Sequence, residues 1–144
     1  MKKKRNTIIP AVFLILRKND KVLLLKRKNT GHEDGNYSLI AGHVDKDESA
    51  QFAICREAKE EAGIDINPED LEFAYLLYKK QEEERIDIFF TTKKWQGEIK
   101  NLEPHKCAEF CFFSMNDLPE NIIDYLAKVL ADIQDNKKYG EFGW

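Results

Sequence analysis

The chain has 144 residues, enough to build one domain around a single hydrophobic core. Apolar residues make up 42% and charged residues 34%, with four prolines and seven glycines, which argues against a disordered or fibrous protein. The net charge of −3 argues against wholesale binding of a nucleic acid polymer, and no apolar stretch is long enough to span a membrane. We therefore expect one globular domain over residues 1–144.

The N-terminal residues and the cysteines indicate the cellular compartment. Residues 1–5 include four consecutive basic side chains, which we interpret as a flexible solvated tail. The apolar segment that follows is interrupted by Pro10 and lacks a small-residue cleavage site, unlike a secretion signal. The three cysteines are odd in number and lack C-x-x-C spacing, so neither a disulfide framework nor a structural zinc site is predicted. These features predict a cytoplasmic protein.

The first predicted elements are a hairpin and a short strand. Two apolar runs rich in β-branched residues, 8–16 and 22–25, are separated by a charged turn and predict a hairpin of buried strands. After a loop rich in glycine, asparagine and aspartate, residues 37–40 predict a short strand. Residues 42–48 are polar and turn-like, so we expect a turn there.

A helix is predicted next, and residues suited to capping mark its ends. Ser49 or Asp47 is suited to the N-cap. Gly63 is suited to a left-handed C-cap, and Pro68 reinforces the stop.

The remaining elements complete the predicted fold. Aromatic and β-branched residues at 71–78 and 86–92 predict a second hairpin, and 110–113 one more strand. Apolar residues at helical spacing over 122–133 predict an amphipathic helix. This order predicts an α+β or α/β fold in which a mixed β-sheet is sandwiched between α-helices.

Three glutamates of the first helix stand out. Glu60 and Glu61 follow Glu57 by three and four residues, so the three share one side of the helix, together with apolar residues. Carboxylates about 5 Å apart repel by about 3 kcal/mol per pair at an effective dielectric constant of about 20. A hard divalent cation such as Mg²⁺ or Mn²⁺ removes that cost. The alternative is a solvated face with Arg56 and Lys59 as salt-bridge partners, and the spacing alone leaves both interpretations open.

Residues 42–64 resemble the Nudix box, G-x5-E-x7-R-E-U-x-E-E-x-G-U, where U is aliphatic. All nine constrained positions match: Gly42, Glu48, Arg56, Glu57, Ala58, Glu60, Glu61, Gly63 and Ile64. The predicted order of elements is also similar to the Nudix fold along nearly the whole chain. The resemblance implies a metal-dependent hydrolase that cleaves a pyrophosphate bond in a nucleoside diphosphate derivative.

The resemblance also implies the site's metal ligands and catalytic residues. Glu57, Glu60 and Glu61, with the backbone carbonyl of Ala41, would bind Mg²⁺ or Mn²⁺. Family members place the general base either in the box or in a later loop, and Glu103 is the candidate for a later residue. Its alternative role is that of a surface carboxylate.

Other box residues would support this arrangement. Glu48 would accept a salt bridge from Arg56, which orients the loop against the helix. Gly42 and Gly63 would permit tight backbone turns. One departure is that Ile40 and Ala41 stand where many relatives have proline and glycine, so the backbone that would approach the metal differs from theirs.

The substrate branch is suggested by the segments around Trp95 and Asn101, which resemble MutT-type enzymes that convert nucleoside triphosphates, including oxidised ones, to monophosphate and pyrophosphate. Tyr37 or Phe13 could stack on the base, although a core role suits either equally well. The alternatives are an enzyme for ADP-ribose, a nucleotide sugar or a dinucleoside polyphosphate, and a non-catalytic ligand sensor. We expect a small nucleotide as the partner of a monomer or homodimer.

Overall fold

A mixed sheet with one α-helix on each face forms the fold in the computed structural model, which describes residues 3–144. The strands are β1 (Ile9–Lys18), β2 (Lys21–Arg27), β3 (Tyr37–Ser38), β4 (Ile40–His43), β5 (Glu72–Lys80), β6 (Glu84–Thr92), β7 (Cys107–Ser114) and β8 (Tyr139–Phe142). The helices are α1 (Ala50–Ala62) and α2 (Asp124–Gln134), with a short 3-10 helix at Pro68–Asp70. The predicted mixed sheet between helices is confirmed.

Strand β1 lies at the centre of the sheet. It pairs in parallel with β6 from Ile9 to Leu16 and antiparallel with β4 from Ala11 to Leu14. The predicted hairpin with β2 is confirmed, but the two strands pair only beside the turn, because farther along β1 the same edge pairs with β4. A strand with neighbours on both edges and helices over both faces is buried along its middle, here residues 11–16, which explains the apolar run there.

Alternate residues of β1 supply two separate cores. Ala11, Phe13 and Ile15 pack in a cluster with α2, whereas Val12 and Leu14 pack in a cluster with α1. This alternation follows from the two-residue period of a strand. Since β1 serves both clusters, we propose that the chain folds as one unit.

Helix α1 begins and ends where its capping residues predict. Ser49, rather than Asp47, is the N-cap, and its hydroxyl accepts a hydrogen bond from the Phe52 N–H at 3.2 Å. Gly63 has a φ of 70° and donates its N–H to the Lys59 carbonyl, so the left-handed C-cap is confirmed.

Three features differ from the predictions. The strand predicted at 37–40 is split into β3 and β4, and β4 continues to His43, so the predicted turn at 42–48 begins later than expected. Helix α2 begins at Asp124 rather than at residue 122, because the N-cap Ile123 has a ψ of 134°, which is not helical; its N–H donates to the Tyr37 carbonyl. Strand β8 was not predicted; it is a short edge strand paired in parallel with β5, and its sequence lacks an apolar alternation.

Part of the predicted N-terminal tail lies outside the described residues. Residues 1 and 2 are not described, while Lys3, Lys4 and Arg5 are exposed and belong to no helix or strand. Within residues 3–144, no helix combines the length and apolar character that crossing a membrane requires.

Candidate functional site

Helix α1 presents its three predicted site glutamates in different environments. The buried face of the helix consists of Ala53, Ile54, Ala58 and Ala62. Glu57 and Glu61 lie half-buried beside this face, whereas the side chain of Glu60 is 56% exposed. The three glutamates of the predicted stripe therefore differ in exposure: two lie beside the buried face, and the third is directed to solvent.

Arg56 connects the loop before α1 to the glutamates of the helix. Its guanidinium makes two hydrogen bonds to the nearly buried Glu48 carboxylate, at 2.6 and 2.9 Å, as the resemblance predicted. It also reaches Glu57 at 2.8 Å and Glu60 at 3.3 Å, and it donates to the His43 carbonyl at 3.2 Å. Hydrogen bonding to Arg56 lowers the pKa of Glu48 to about 2, and its carboxylate partners raise the pKa of Arg56.

Glu61 is the carboxylate with the most strongly perturbed ionisation. Burial, followed by repulsion from Glu57 and Glu103, raises its pKa to about 9, although the Ala41 N–H donates a hydrogen bond to it at 3.2 Å. Burial also raises the pKa of Glu57, which Arg56 partly offsets. Perturbation by burial and like charges is typical of functional sites.

Gly42 makes room for Glu57, which corrects the role predicted for this glycine. It lies within β4 without a positive φ, so no tight turn requires it. A Cβ atom at this position would overlap the Glu57 carboxylate. Among the two box glycines, only Gly63 serves a turn.

Four carboxylates line one cavity of about 310 Å³, here called the glutamate pocket. Its lining residues are Leu25, Arg27, Thr30, Ala41, Glu57, Glu60, Glu61, Glu103, Lys106, Cys107 and Phe110. The structure thus places the later-loop residue Glu103 beside the glutamates of α1. The catalytic and metal-binding roles of these residues stay predictions.

Two cations of the glutamate pocket were not identified from the sequence. Arg27 ends β2, and Lys106 lies in the loop before β7, so neither belongs to the box. No local pattern marks them, because only the sheet topology brings them to the glutamates. Two cations against four carboxylates leave the pocket with a negative charge when all groups are ionised.

The donor set of the glutamate pocket fits a hard divalent cation by its chemistry. Its candidate ligands are all oxygen atoms, as Mg²⁺ and Mn²⁺ prefer. Across residues 3–144, however, no three His, Cys, Asp or Glu side chains converge on one point. At present these side chains have protein partners: Arg56 contacts Glu57 and Glu60, and the Ala41 N–H donates to Glu61. The exposed Glu60 side chain has room to turn toward the other two.

The two aromatic residues proposed for base stacking lie in the core. Phe13 is 6% exposed and stacks on Phe89, with 4.6 Å between ring centroids. Tyr37 is 9% exposed and packs edge-on against Phe113 at 5.0 Å. Neither residue lines the glutamate pocket. The structure therefore favours the core role that the sequence left open.

Comparison with known proteins gives one family match and two informative relatives. The NUDIX domain model matches residues 7–133. The ADP-ribose pyrophosphatase of Methanocaldococcus jannaschii is 34% identical over 135 residues, which cover 92% of this chain and 78% of that protein. The NAD-capped RNA hydrolase NudC of Escherichia coli O157:H7 is 34% identical over 116 residues, which cover 78% of this chain. The matched part spans only 41% of NudC.

Among solved structures, the MutT NUDIX hydrolase from Burkholderia pseudomallei has a similar fold. Its TM-score is 0.80 at 23% sequence identity, and the match covers 88% of this chain and 98% of that one. At this identity the similarity shows the fold alone.

Replacement of Gly42 by alanine is expected to displace Glu57 without disrupting the sheet, because the new Cβ meets the end of a flexible side chain. We expect the affinity for Mn²⁺, measured by calorimetry, to fall by about tenfold or more. The free energy of unfolding in urea should change by less than about 1 kcal/mol. In a Glu57→Ala background, Gly42→Ala should not lower the Mn²⁺ affinity further. If it lowered that affinity as much as in the wild type, Gly42 would not act by making room for Glu57.

Replacement of Glu48 by glutamine is expected to destabilise the protein at neutral pH but not in strong acid. The folded-state pKa of about 2 lies below the ordinary 4.5. The stabilisation by the ionised carboxylate is therefore complete above pH 4.5 and is lost as the pH falls toward 2. Urea unfolding of both proteins should show a difference that shrinks over this range. The exposed Glu69→Gln variant is the control, and a pH-independent difference for Glu48→Gln would contradict the assignment.

Proposed function

The chain belongs to the NUDIX domain family of hydrolases that act on nucleotide derivatives, and from this premise we propose that it cleaves the pyrophosphate bond of an ADP-ribose-type substrate in the glutamate pocket. The observation that carries this proposal is that one cavity is lined by four carboxylates, those of Glu57, Glu60, Glu61 and Glu103. They come from a helix and a distant loop. Their carboxylates repel one another, and we infer that packing alone would not keep them together. A divalent cation held by these residues would relieve that repulsion.

The charged residues of the glutamate pocket divide into two groups with different tasks. Glu57, Glu60, Glu61 and the carbonyl oxygen of Ala41 would hold Mg²⁺ or Mn²⁺, which when bound neutralises phosphate charge and lowers the pKa of a water molecule. Arg27 and Lys106 would contact the phosphate oxygens that remain. Both kinds of contact are needed, because a diphosphate would be repelled by the uncompensated carboxylates.

Two further residues have supporting tasks: Glu103 would act on the attacking water, and Glu48 would hold Arg56 in place. Glu103, half-buried in the same cavity, would accept the proton of the attacking water. Its loop is fixed by hydrogen bonds from the Lys106 and Cys107 N–H groups to its own carbonyl, each 2.9 Å long. Glu48 would keep Arg56 oriented, so that Glu57 and Glu60 remain on the pocket side of α1.

The choice of an ADP-ribose-type substrate is supported by the M. jannaschii relative, which is named for that activity and is matched over most of both chains. The residues that suggested a triphosphate have structural contacts instead. Trp95 stacks on Phe112, and Asn101 donates its side-chain N–H to the Cys107 carbonyl at 2.7 Å. These contacts are compatible with either substrate, so the choice rests on the M. jannaschii relative.

A substrate panel tests this proposal directly. The purified protein is incubated with Mg²⁺ and, separately, with ADP-ribose, a nucleotide sugar, a dinucleoside polyphosphate and nucleoside triphosphates, and the products are identified. AMP and ribose 5-phosphate from ADP-ribose are the expected products. Pyrophosphate release from triphosphates would support the MutT-type alternative. No turnover of any compound would contradict the proposal and support the non-catalytic ligand sensor.

Replacement of Glu60 by glutamine is expected to lower turnover by about a hundredfold or more, because it removes a charged metal ligand. The fold should persist, since Glu60 is exposed and its ion pair with Arg56 is worth little in water. Hydrolysis rates and urea unfolding are measured side by side, with Glu69→Gln as a control for charge loss at an exposed site. An unchanged rate would refute the role assigned to Glu60.

A further inference from the structure

A second cavity, of about 300 Å³, lies on the sheet face that is covered by α2. His32 from the β2–β3 loop, Lys79 at the end of β5, Arg85 at the start of β6 and Tyr125 of α2 contribute to its walls. We call it the lysine cavity. Its residues belong neither to the box nor to the glutamate pocket.

The lysine cavity is built on a buried ion pair. The Lys79 side chain is 2% exposed and that of Asp87 is 0% exposed, and Lys79 Nζ lies 2.7 Å from Asp87 Oδ2. The same ammonium lies 3.6 Å from the centre of the Tyr125 ring. Burial lowers the pKa of Lys79 and raises that of Asp87, and each partner opposes the shift of the other. Such pairs rarely stabilise a fold more than apolar residues of the same size would.

The ion pair leaves hydrogen-bonding capacity unused. Neither oxygen of Asp87 has a properly aligned hydrogen-bond donor in the described part of the chain, despite the short distance to Lys79. The ammonium of Lys79 carries three N–H donors. A lysine that lines a cavity with unused donors can bind acceptor atoms of a ligand.

The charges around the lysine cavity indicate an uncharged ligand. Lys79 is balanced by Asp87, and Arg85 lies 3.5 Å from Glu83, while Glu82 adds a further negative charge. A phosphate group is disfavoured here, in contrast to the glutamate pocket with its metal ligands. A polar, neutral, planar group suits a cavity with an aromatic wall and a hydrogen-bond donor.

One loop joins the two cavities. Thr30 lines the glutamate pocket and His32 lines the lysine cavity, only two residues apart and therefore within about 7 Å. Arg27 fixes this arrangement by donating to the His32 carbonyl at 2.7 Å and to the Thr30 hydroxyl at 3.1 Å. This shared loop is the basis for placing the non-reacting end of the same substrate in the lysine cavity.

We propose that Lys79 is the specificity-determining residue that donates hydrogen bonds to acceptor atoms of the substrate's nucleobase in the lysine cavity. Asp87 is a positioning residue that holds the ammonium, and Tyr125 forms the wall beside it. This inference rests on the proposed function, since it concerns the other end of the same substrate. Ring nitrogens or carbonyl oxygens of a base supply the required acceptors.

Equilibrium binding of nucleoside monophosphates tests this assignment without any bond cleavage. AMP, GMP, UMP and the base-free ribose 5-phosphate are titrated into the wild-type protein and into the Lys79→Met/Asp87→Leu double variant, which leaves no charge unpaired. At least one nucleotide should bind the wild type about tenfold or more tighter than ribose 5-phosphate. The double variant should lose this difference and keep its affinity for ribose 5-phosphate. The three bases show which acceptor pattern is preferred.

Controls separate recognition from a structural role. Lys80→Met, at the adjacent exposed position, should retain the wild-type preference. Asp87→Asn should weaken base-dependent binding but not the binding of ribose 5-phosphate, and Lys79→Arg, which keeps charge and donors, should restore part of the preference that Lys79→Met loses. A folded double variant with an unchanged base preference would overturn the proposal.

A measurement on the wild-type protein keeps the test independent of variant folding. The ring resonances of Tyr125 in NMR spectra should shift when the preferred monophosphate is added and stay in place with ribose 5-phosphate. No shift with any nucleotide would overturn the inference. Base-dependent binding through Lys79 without hydrolysis of any compound in the substrate panel would refute the proposed function alone.

Discussion

The bidentate pair between Arg56 and Glu48 is the interaction on which the candidate site depends. It fixes the loop after β4 to α1, and the remaining donor of the guanidinium reaches Glu57 and Glu60. Because Glu48 is nearly buried, the pair is shielded from water more than a surface ion pair is. The positions of the loop after β4 and of the carboxylates therefore depend on one side chain. Gly42 completes the arrangement, since only a residue without a Cβ leaves space for Glu57.

The sheet separates two environments that suit the two ends of a nucleotide derivative. On the side of α1, the glutamate pocket combines four carboxylates with two cations, which suits a metal-bound diphosphate. On the side of α2, the charges of the lysine cavity nearly cancel, which suits a neutral ring. Strand β1 packs against both helices, and the loop after β2 passes between the cavities. Charge, more than shape, distinguishes the two cavities.

Local patterns in the sequence predicted the structural features that depend on residues close together in the chain. The caps of α1, the second hairpin and the amphipathic α2 follow from periodicity and from single residues such as Ser49 and Gly63. Contacts between distant segments were not predictable in this way. Arg27 and Lys106 reach the glutamates only through the sheet order, and Lys79 meets Asp87 only because β5 and β6 are paired. For Phe13, an aromatic ring in an apolar run was compatible with both a core and a binding role, and burial alone distinguishes them.

Arg27 has two sets of partners that compete for one guanidinium. Its present hydrogen bonds hold Thr30 and His32, while its position in the glutamate pocket places it within the region of the proposed phosphates. A phosphate that attracts this side chain would weaken its hydrogen bonds to Thr30 and His32. Anion binding and the order of the β2–β3 loop would then be thermodynamically linked. Occupancy of one cavity would then alter the shape of the other without any movement of the sheet.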